Sequence, residues 1–225
     1  MNISILYGVE GADKATGIAV VIDIYRAATT ATYALSEGAS YIIPVLEKEH
    51  AFAIKKDNPD VLLMGEVRGE IIEGFDFGNS PSQMIHNSVK GKVIVQRTSE
   101  GTQGLLHAVH ADEVIFGSFP TLTAIKTYIH KKHPDTVTII ALGGPDTEDE
   151  FFAQTLADHL SHKPISHDTI CTHLLTHPRS ARFFDPTVTW SPEEDAHLAV
   201  MIDRFDFFCL LERKHTPARL VKRKA

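Results

Sequence analysis

The sequence predicts an α/β fold: layers of helix around a largely parallel or mixed sheet, with C-terminal helices and a final strand pair closing the chain. Three observations lead there. Short β-branched runs alternate with helix-compatible stretches through the first two-thirds of the 225 residues, which is the pattern of strand–helix–strand units. Runs such as Ile18–Ile22 and Val137–Leu142 are continuously apolar, as strands covered on both faces are. The last third then changes to successive helices followed by two strands. Hydrophobic residues at 43% and charged residues at 23% describe an ordinary globular chain that can bury a full core, so disordered, collagen-like and coiled-coil classes are excluded.

The elements follow in order. Strands are expected at Ile3–Tyr7, Ile18–Ile24, Tyr41–Val45, Val61–Met64, Lys92–Arg97, Glu113–Phe116 and Thr136–Leu142. Helices are expected between them at Ala27–Ser36, Glu47–Lys56, Ser82–Val89, Thr102–Ala111 and Leu122–Lys132. Three more helices, Glu148–Ser161, Thr169–Thr176 and Pro192–Arg204, precede strands at Phe207–Glu212 and Ala218–Lys222. Ser191-Pro192-Glu193-Glu194 reads as a hydroxyl N-cap, a first-turn proline and a reciprocal glutamate. No repeat or long linker divides the chain. Residues 1–225 are therefore expected to form one domain, any second lobe being woven from the same chain.

Composition also bounds the partners. The net charge of −7 argues against non-specific nucleic-acid binding. Six Lys and Arg fall in the last thirteen residues with no acid among them, and a basic tail of that kind is ordinarily a solvated end. No apolar run approaches the ~20 residues of a membrane span, and Met1-Asn2-Ile3-Ser4 has no basic leader. Cys171 and Cys209 cannot build a disulfide framework, so a reducing, cytoplasmic setting is expected, with both thiols in the core. A homodimer is the common state for enzymes of this size.

In an open parallel sheet, ligands bind beyond the carboxyl ends of the strands. Four strand ends here carry chemistry. Asp23-Ile24-Tyr25-Arg26-Ala27-Ala28-Thr29-Thr30 joins an acid, an arginine and two hydroxyls at a helix start, where anions are favoured. Gly65-Glu66 opens a long loop that ends in Gly74-Phe75-Asp76-Phe77-Gly78-Asn79-Ser80-Pro81; its Glu66 and Asp76 are hard oxygen ligands suited to Mg²⁺. Thr98-Ser99-Glu100-Gly101-Thr102 can bring backbone N–H groups to a phosphate, without the ending of a Walker loop. Glu148 and Asp149 follow Gly143-Gly144, as dipole partners of a helix or as metal ligand and general base. Together the turns suit a divalent-metal phosphate site. The thirteen histidines offer no His-Glu-x-x-His, since Leu174 stands between His173 and His177 where that Glu belongs, and there is no Gly-x-Ser-x-Gly elbow.

In this order the turns resemble those of the 2-phosphosulfolactate phosphatase family. Its Asp-Val-Leu-Arg-Ala-Thr-Thr turn is matched by Asp23–Thr30, its Gly-Glu and Gly-Phe-Asp-x-Gly-Asn-Ser-Pro by Gly65-Glu66 and Gly74–Pro81, and its Thr-Thr-Asn-Gly-Thr by Thr98–Thr102. Glu148-Asp149 and Phe207-Phe208-Cys209-Leu210 also suit it. The resemblance implies a Mg²⁺-dependent hydrolase that takes 2-phosphosulfolactate to sulfolactate and phosphate, a step of coenzyme M synthesis. The alternatives are another small phosphorylated acid as substrate, or a protein that binds a phosphorylated metabolite without cleaving it. The expected catalytic residues are Asp23, Arg26, Asp76 and Glu148. The expected phosphate contacts are Thr29, Thr30, Asn79, Ser80, Thr98, Gly101 and Thr102, and the expected metal ligands Asp23, Glu66, Asp76 and Asp149. The chain departs from the family at Glu100 and Gln103, where Asn and Arg are usual, and at Val67, where an Arg is usual and Arg68 follows one residue on.

Overall fold

The structure, a computed structural model, describes residues 1–225. Ten strands form one mixed sheet: β1 (Asn2–Tyr7), β2 (Ile18–Ile22), β3 (Tyr41–Pro44), β4 (Leu62–Val67), β5 (Glu70–Ile71), β6 (Val93–Arg97), β7 (Glu113–Gly117), β8 (Thr136–Ala141), β9 (Phe207–Glu212) and β10 (Arg219–Lys224), in the spatial order β1-β8-β2-β7-β9-β10-β3-β6-β4-β5. The helices are α1 (Gly8–Ala12), α2 (Ala27–Ser36), α3 (Lys48–Asp57), α4 (Pro81–His86), α5 (Gly101–His107), α6 (Leu122–Lys132), α7 (Glu148–Leu160), α8 (His167–Thr176) and α9 (Glu193–Ala199). No helix is long and apolar enough to cross a membrane.

The buried strands show how period two builds two cores at once. Along β2, Ala19 and Val21 enter a cluster of 28 buried residues shared with α1, α2, α4 and α5, while Ile18, Val20 and Ile22 enter one of 26 shared with α6, α7, α8 and α9. A third cluster of 8 lies under α3. The expected α/β/α layering is thus present. At the centre lies α2, with nine of its ten residues buried. Its run of Ala and Thr makes this tolerable. The side chains are small, and the hydroxyls of Thr30 and Thr32 donate back to the carbonyls of Arg26 and Ala28 at 2.9 Å each, so no polar group is stranded.

Two parallel blocks, β1-β8-β2-β7 and β3-β6-β4, are joined through β9 and β10 by three antiparallel pairings. The blocks nominally run opposite ways, which would put their carboxyl ends on opposite edges. Six strand-to-strand steps separate β2 from β4. At the usual twist of about 20–25° per step, the sheet rotates by about 120–150° across them. That rotation brings the carboxyl ends of both blocks to the start of α2. Gly101, after β6, sits so close there that a Cβ on it would lie 2.5 Å from Ala27 Cβ and 2.8 Å from Asp23 Oδ2.

Several local expectations are corrected. α1 was not expected, because Gly8 and Gly11 disguise it; Gly11 is needed where a Cβ would stand 2.9 Å from Leu6 Cβ. α9 ends at Ala199 rather than Arg204, since Asp203 adopts φ 54° and its carboxylate caps α6 through Thr123 N–H (2.6 Å) and Oγ1 (2.8 Å). Pro192, not Ser191, takes the N-cap position of α9, and the Ser191 hydroxyl is buried without a partner. The loop after β4 contains a hairpin: Val67 pairs with Glu70 across Arg68 (φ 54°) and Gly69 (φ 91°), the two positive φ angles of a type I′ turn. The basic tail is no loose end. It forms interior strand β10, with Arg219 stacked on Tyr41 (4.3 Å) and Lys222 on Phe207 (4.2 Å). Both cysteines are free; Cys209 is fully buried, whereas Cys171 is only partly so.

Candidate active site

A cleft of about 150 Å³ opens where the two blocks converge, at the carboxyl ends of β2, β4 and β6. Its walls carry three carboxylates, Asp23, Glu66 and Glu100, and four arginines, Arg26, Arg68, Arg179 and Arg182. Tyr25, Gly69, Asn79, Ser99 and Trp190 complete it. A cleft of this size with so polar a lining suits a compact anion.

The acidic floor starts at Asp23, directly after β2. Its Oδ1 accepts the Ala27 N–H at 3.0 Å, tying it to the first turn of α2. Burial, and then the nearby Glu100, Glu66 and Glu148 carboxylates, push its carboxyl up to about 7 against the single N–H bond that lowers it. Glu100 is raised in the same direction, first by burial at the cleft wall, with the Glu66 and Glu148 charges adding and Arg179 opposing. Glu66 is held differently. Its oxygens accept Ser99 N–H (2.6 Å), Ser99 Oγ (3.1 Å) and Gly69 N–H (2.6 Å), so it clamps the β4–β5 turn to the loop after β6.

The other carboxylates expected at the metal are engaged elsewhere. Asp149 accepts Ile24 N–H at 2.7 Å and Gly143 N–H at 2.8 Å, bridging the ends of β2 and β8. Burial raises its pKa well above the usual carboxylate range, and the Asp23 charge adds to that. Glu148 is buried and lies 3.0 Å from Arg179 Nε. Asp76 stands apart from the cleft: its Oδ2 accepts the Leu63 N–H at 2.7 Å and lies 3.3 Å from Lys55 Nζ, so it fixes the long loop to β4.

The hydroxyls expected to hold phosphate mostly turn inward. Thr29 Oγ1 donates to Ile24 O at 2.8 Å and Thr30 to Arg26 O, both fully buried. Thr98 and Thr102 exchange side-chain and backbone bonds at 3.0 Å each, a reciprocal cap on α5. Ser80 donates to Asp195 Oδ1 at 2.9 Å. Gly101 contributes by being small, for the contact with Asp23 described above. Asn79 does face the cleft, and its buried Oδ1 has no donor.

Arg26 lines the cleft, yet its guanidinium is largely spent. Nη1 donates to Asp195 Oδ2 (2.7 Å) and Trp190 O (2.8 Å), and Nη2 to Gly69 O (3.3 Å). Asp195, with no exposed surface, also accepts Ser82 N–H (3.0 Å) and Ser82 Oγ (2.7 Å). It thereby knits α9, α4 and the turn after β2 together. Asp195, Trp190, Arg179 and Arg182 were not anticipated. Asp195 looked like one more first-turn acid beside Glu193 and Glu194. The two arginines lie three apart behind Pro178, in a 3₁₀ turn over Pro178–Arg179–Ser180–Ala181–Arg182–Phe183, and i and i+3 eclipse in such a turn. That spacing was the available signal.

The residues present fit Mg²⁺. The open donors are all hard oxygens: Asp23 Oδ2, the Glu100 carboxylate and the orphaned Asn79 Oδ1. Mg²⁺ commonly takes only one or two protein carboxylates and keeps waters. No three acidic, imidazole or thiol groups converge on one point, so a three-ligand protein cage is not built here. Of the family departures, Val67 turns outward while Arg68 enters the wall, and Gln103 donates to Leu46 O at 3.0 Å, away from the cleft.

The family model described as 2-phosphosulpholactate phosphatase matches residues 6–181. A protein of Caldanaerobacter subterraneus subsp. tengcongensis is 43% identical over 124 residues, 54% of this chain and 52% of that protein. One of Caldicellulosiruptor saccharolyticus is 40% identical over 146 residues (63% and 58%), and one of Symbiobacterium thermophilum is 38% identical over 136 (60% and 57%). All three are named as probable 2-phosphosulfolactate phosphatases. The matched part spans a little over half the length of these relatives. With the family model covering most of its length and the motif-bearing strand ends meeting in one cleft, the chain belongs to the 2-phosphosulfolactate phosphatase family.

Proposed function

We propose that this protein is a Mg²⁺-dependent phosphoric monoester hydrolase that converts 2-phosphosulfolactate to sulfolactate and phosphate. The observation that carries the reading is the small cleft walled by four arginines over a floor of mutually repelling carboxylates. A polyanion is drawn by the first; a cation and a transferable proton are accommodated by the second. The names of the relatives give the substrate. The two free cysteines suit a cytoplasmic setting, and the reaction is of the kind used in coenzyme M synthesis.

Glu100 and Asn79 would hold the cation. Bound there, Mg²⁺ supplies charge neutralisation at the phosphoryl oxygens and orders water. The remaining work falls to the chain. Arginines on the wall hold the substrate's oxygens and hold the phosphorus in line with a water molecule. Asp23, at the floor of the cleft, takes a proton from that water and passes it on towards the departing ester oxygen. The new P–O bond forms as the ester P–O bond breaks, and the ester oxygen departs as the hydroxyl of sulfolactate. Direct attack by water, rather than an aspartyl-phosphate, matches the absence of an Asp-x-Asp pattern at Asp23, where Tyr25 stands two residues on.

Phosphate release from 2-phosphosulfolactate, with Mg²⁺ and with EDTA, tests the reading. Release that EDTA abolishes is expected. Release from phospholactate but not from the sulfonate would move the substrate, and release from neither by the folded protein would overturn the hydrolase.

A further inference from the structure

The two edges of the sheet are built differently. At one, β5 is two residues long, carries Glu70 and belongs to a tight hairpin. Short length, a charge and a strong local twist are the usual protections of an edge. At the other, β1 has none of them. Asn2–Tyr7 is six residues long, without a charge, a proline or a glycine, and it pairs only with β8. The ladder fixes which of its groups are free. Asn2 N–H donates to Asp135 O at 2.7 Å in a parallel pairing, so the backbone groups of Asn2, Ser4 and Leu6 turn to β8, and those of Ile3 and Ile5 point away from the sheet. Side chains alternate as well. Ile3 and Ile5 pack on the core shared with α7, and Leu6 lies against Gly11 of α1.

We infer that this edge is a dimer interface whose occupant is β1 of a second copy, paired antiparallel about a twofold axis normal to the sheet. No other strand of the chain is both free along an edge and as long. The symmetry dictates the register. An axis normal to the sheet keeps the α7 layers of both copies on one side, so opposed residues must share a face and their numbers must sum to an even value. Pairing Ile3 with Ile5 of the second copy satisfies this and matches outward N–H and C=O groups on both sides. Ser4 then meets Ser4 on the axis, and Asn2 lies opposite Leu6. Centring on Ile5 instead would call on Tyr7, the N-cap residue of α1, whose carbonyl belongs to that helix. Charge chooses the direction. Asp146 and Glu150 stand at the C-terminal end of β1, where Glu150 accepts from Tyr7 Oη, and His162 and Lys163 stand beyond the far end of α7. A helix of 13 residues separates the two groups by about 20 Å, close to the length of β1. Antiparallel pairing keeps the two acidic ends apart and sets each beside the end that carries Lys163, whereas parallel pairing would set acid against acid. Because α7 lies chiefly over β8, its two copies come three strand spacings apart, about 14 Å, and helices about 10–12 Å wide reach across that with their longer side chains. No residue of β1 lines the cleft, so both clefts stay open in the dimer.

The test uses the whole chain. Sedimentation equilibrium at micromolar concentration is expected to give about twice the 24.9 kDa chain mass. Ile5→Pro removes an outward N–H from each copy and leaves the β8 ladder alone, so the dissociation constant should rise about 30-fold with circular dichroism unchanged. Ser4→Cys reads the register. Its two Cα atoms should lie about 4.5 Å apart on the axis, within disulfide range, so mild oxidation should link the dimer. Asn2→Cys puts its two positions about 14 Å apart and should stay unlinked, as should the wild type with Cys171 and Cys209. A monomeric wild type overturns the interface. So does a dimer of undiminished strength in a folded Ile5→Pro variant, or one that links through Asn2→Cys and not through Ser4→Cys. If Ile5→Pro fails to fold, the two cysteine variants decide alone.

Discussion

Asp23, the base of the proposed reaction, shows what a buried carboxyl costs the fold. Its carboxyl holds a proton up to about pH 7, whereas the unfolded chain gives it up near 4. Folded-state stability from this group is therefore greatest in acid, declines as pH rises from about 4 to about 7, and the full penalty applies above that. Asp23→Asn keeps the Oδ1 acceptor for Ala27 N–H and removes the penalty. Melting curves should show it stabilised by about 1–2 kcal/mol at pH 8, after allowance for partial solvent access, which is about 2–8 °C. At pH 4.5 most of the gain should be gone. Turnover should fall by about 10²–10⁴-fold, as loss of a general base does. A variant both less stable and fully active would place Asp23 outside the chemistry. Arg26 makes the opposite case. With its guanidinium held by Asp195 and two carbonyls, Arg26→Ala leaves Asp195 buried and uncompensated, and denaturant unfolding should show a loss of about 3–5 kcal/mol. Its effect on turnover should then follow from displaced structure, not from a lost phosphate contact.

Among elements, the first turn of α5 is positioned by what it lacks. Gly101→Ala must push Ala27 or Asp23 aside, because the new Cβ would meet both below 3.0 Å. Activity is expected to drop by about 10²-fold, the scale of a misplacement near 1 Å, while circular dichroism keeps the native helix content. Wild-type activity would show that the α2–α5 approach does not position Asp23. Elements also explain which parts of the site could be read early. Asp23, Glu66 and Asn79 were legible because each lies at the carboxyl end of a strand or in a long glycine-bounded motif, where the rule about strand ends applies. Thr29, Thr30, Thr98 and Thr102 misled for a related reason. A hydroxyl at a helix start reads as a phosphate contact in sequence, and only the structure shows all four bonded inward: Thr29 and Thr30 donate to backbone carbonyls, and Thr98 and Thr102 accept each other's backbone N–H groups. Arg182 and Asp195 were invisible because their roles depend on partners more than 100 residues away.

At the scale of the molecule, the strands were largely legible from hydrophobic period, but their order was not. Nothing local in Arg219–Lys224, four of whose six residues are basic, marks it as an interior strand. It is one because each face gives its long side chains somewhere to lie. Leu220 enters the main core, while Arg219 and Lys222 spread over aromatic rings and Arg223 reaches Glu212 at 2.9 Å. This strand is the hinge of the whole arrangement. It pairs with β9 along six residues and with β3 through Leu220 and Ile42, and together with β9 it connects the block holding Asp23 to the block holding Glu66 and Glu100. Leu220→Asp places an unpaired charge at a fully buried position and should break that joint. The expected outcome is loss of cooperative melting and of all phosphate release, although Leu220 is not among the cleft-lining residues. Val221→Thr, on the opposite and partly exposed side of the same strand, should leave both intact. If Leu220→Asp kept a sharp transition and an active site, the cleft would not depend on the twist that β10 carries from one block to the other.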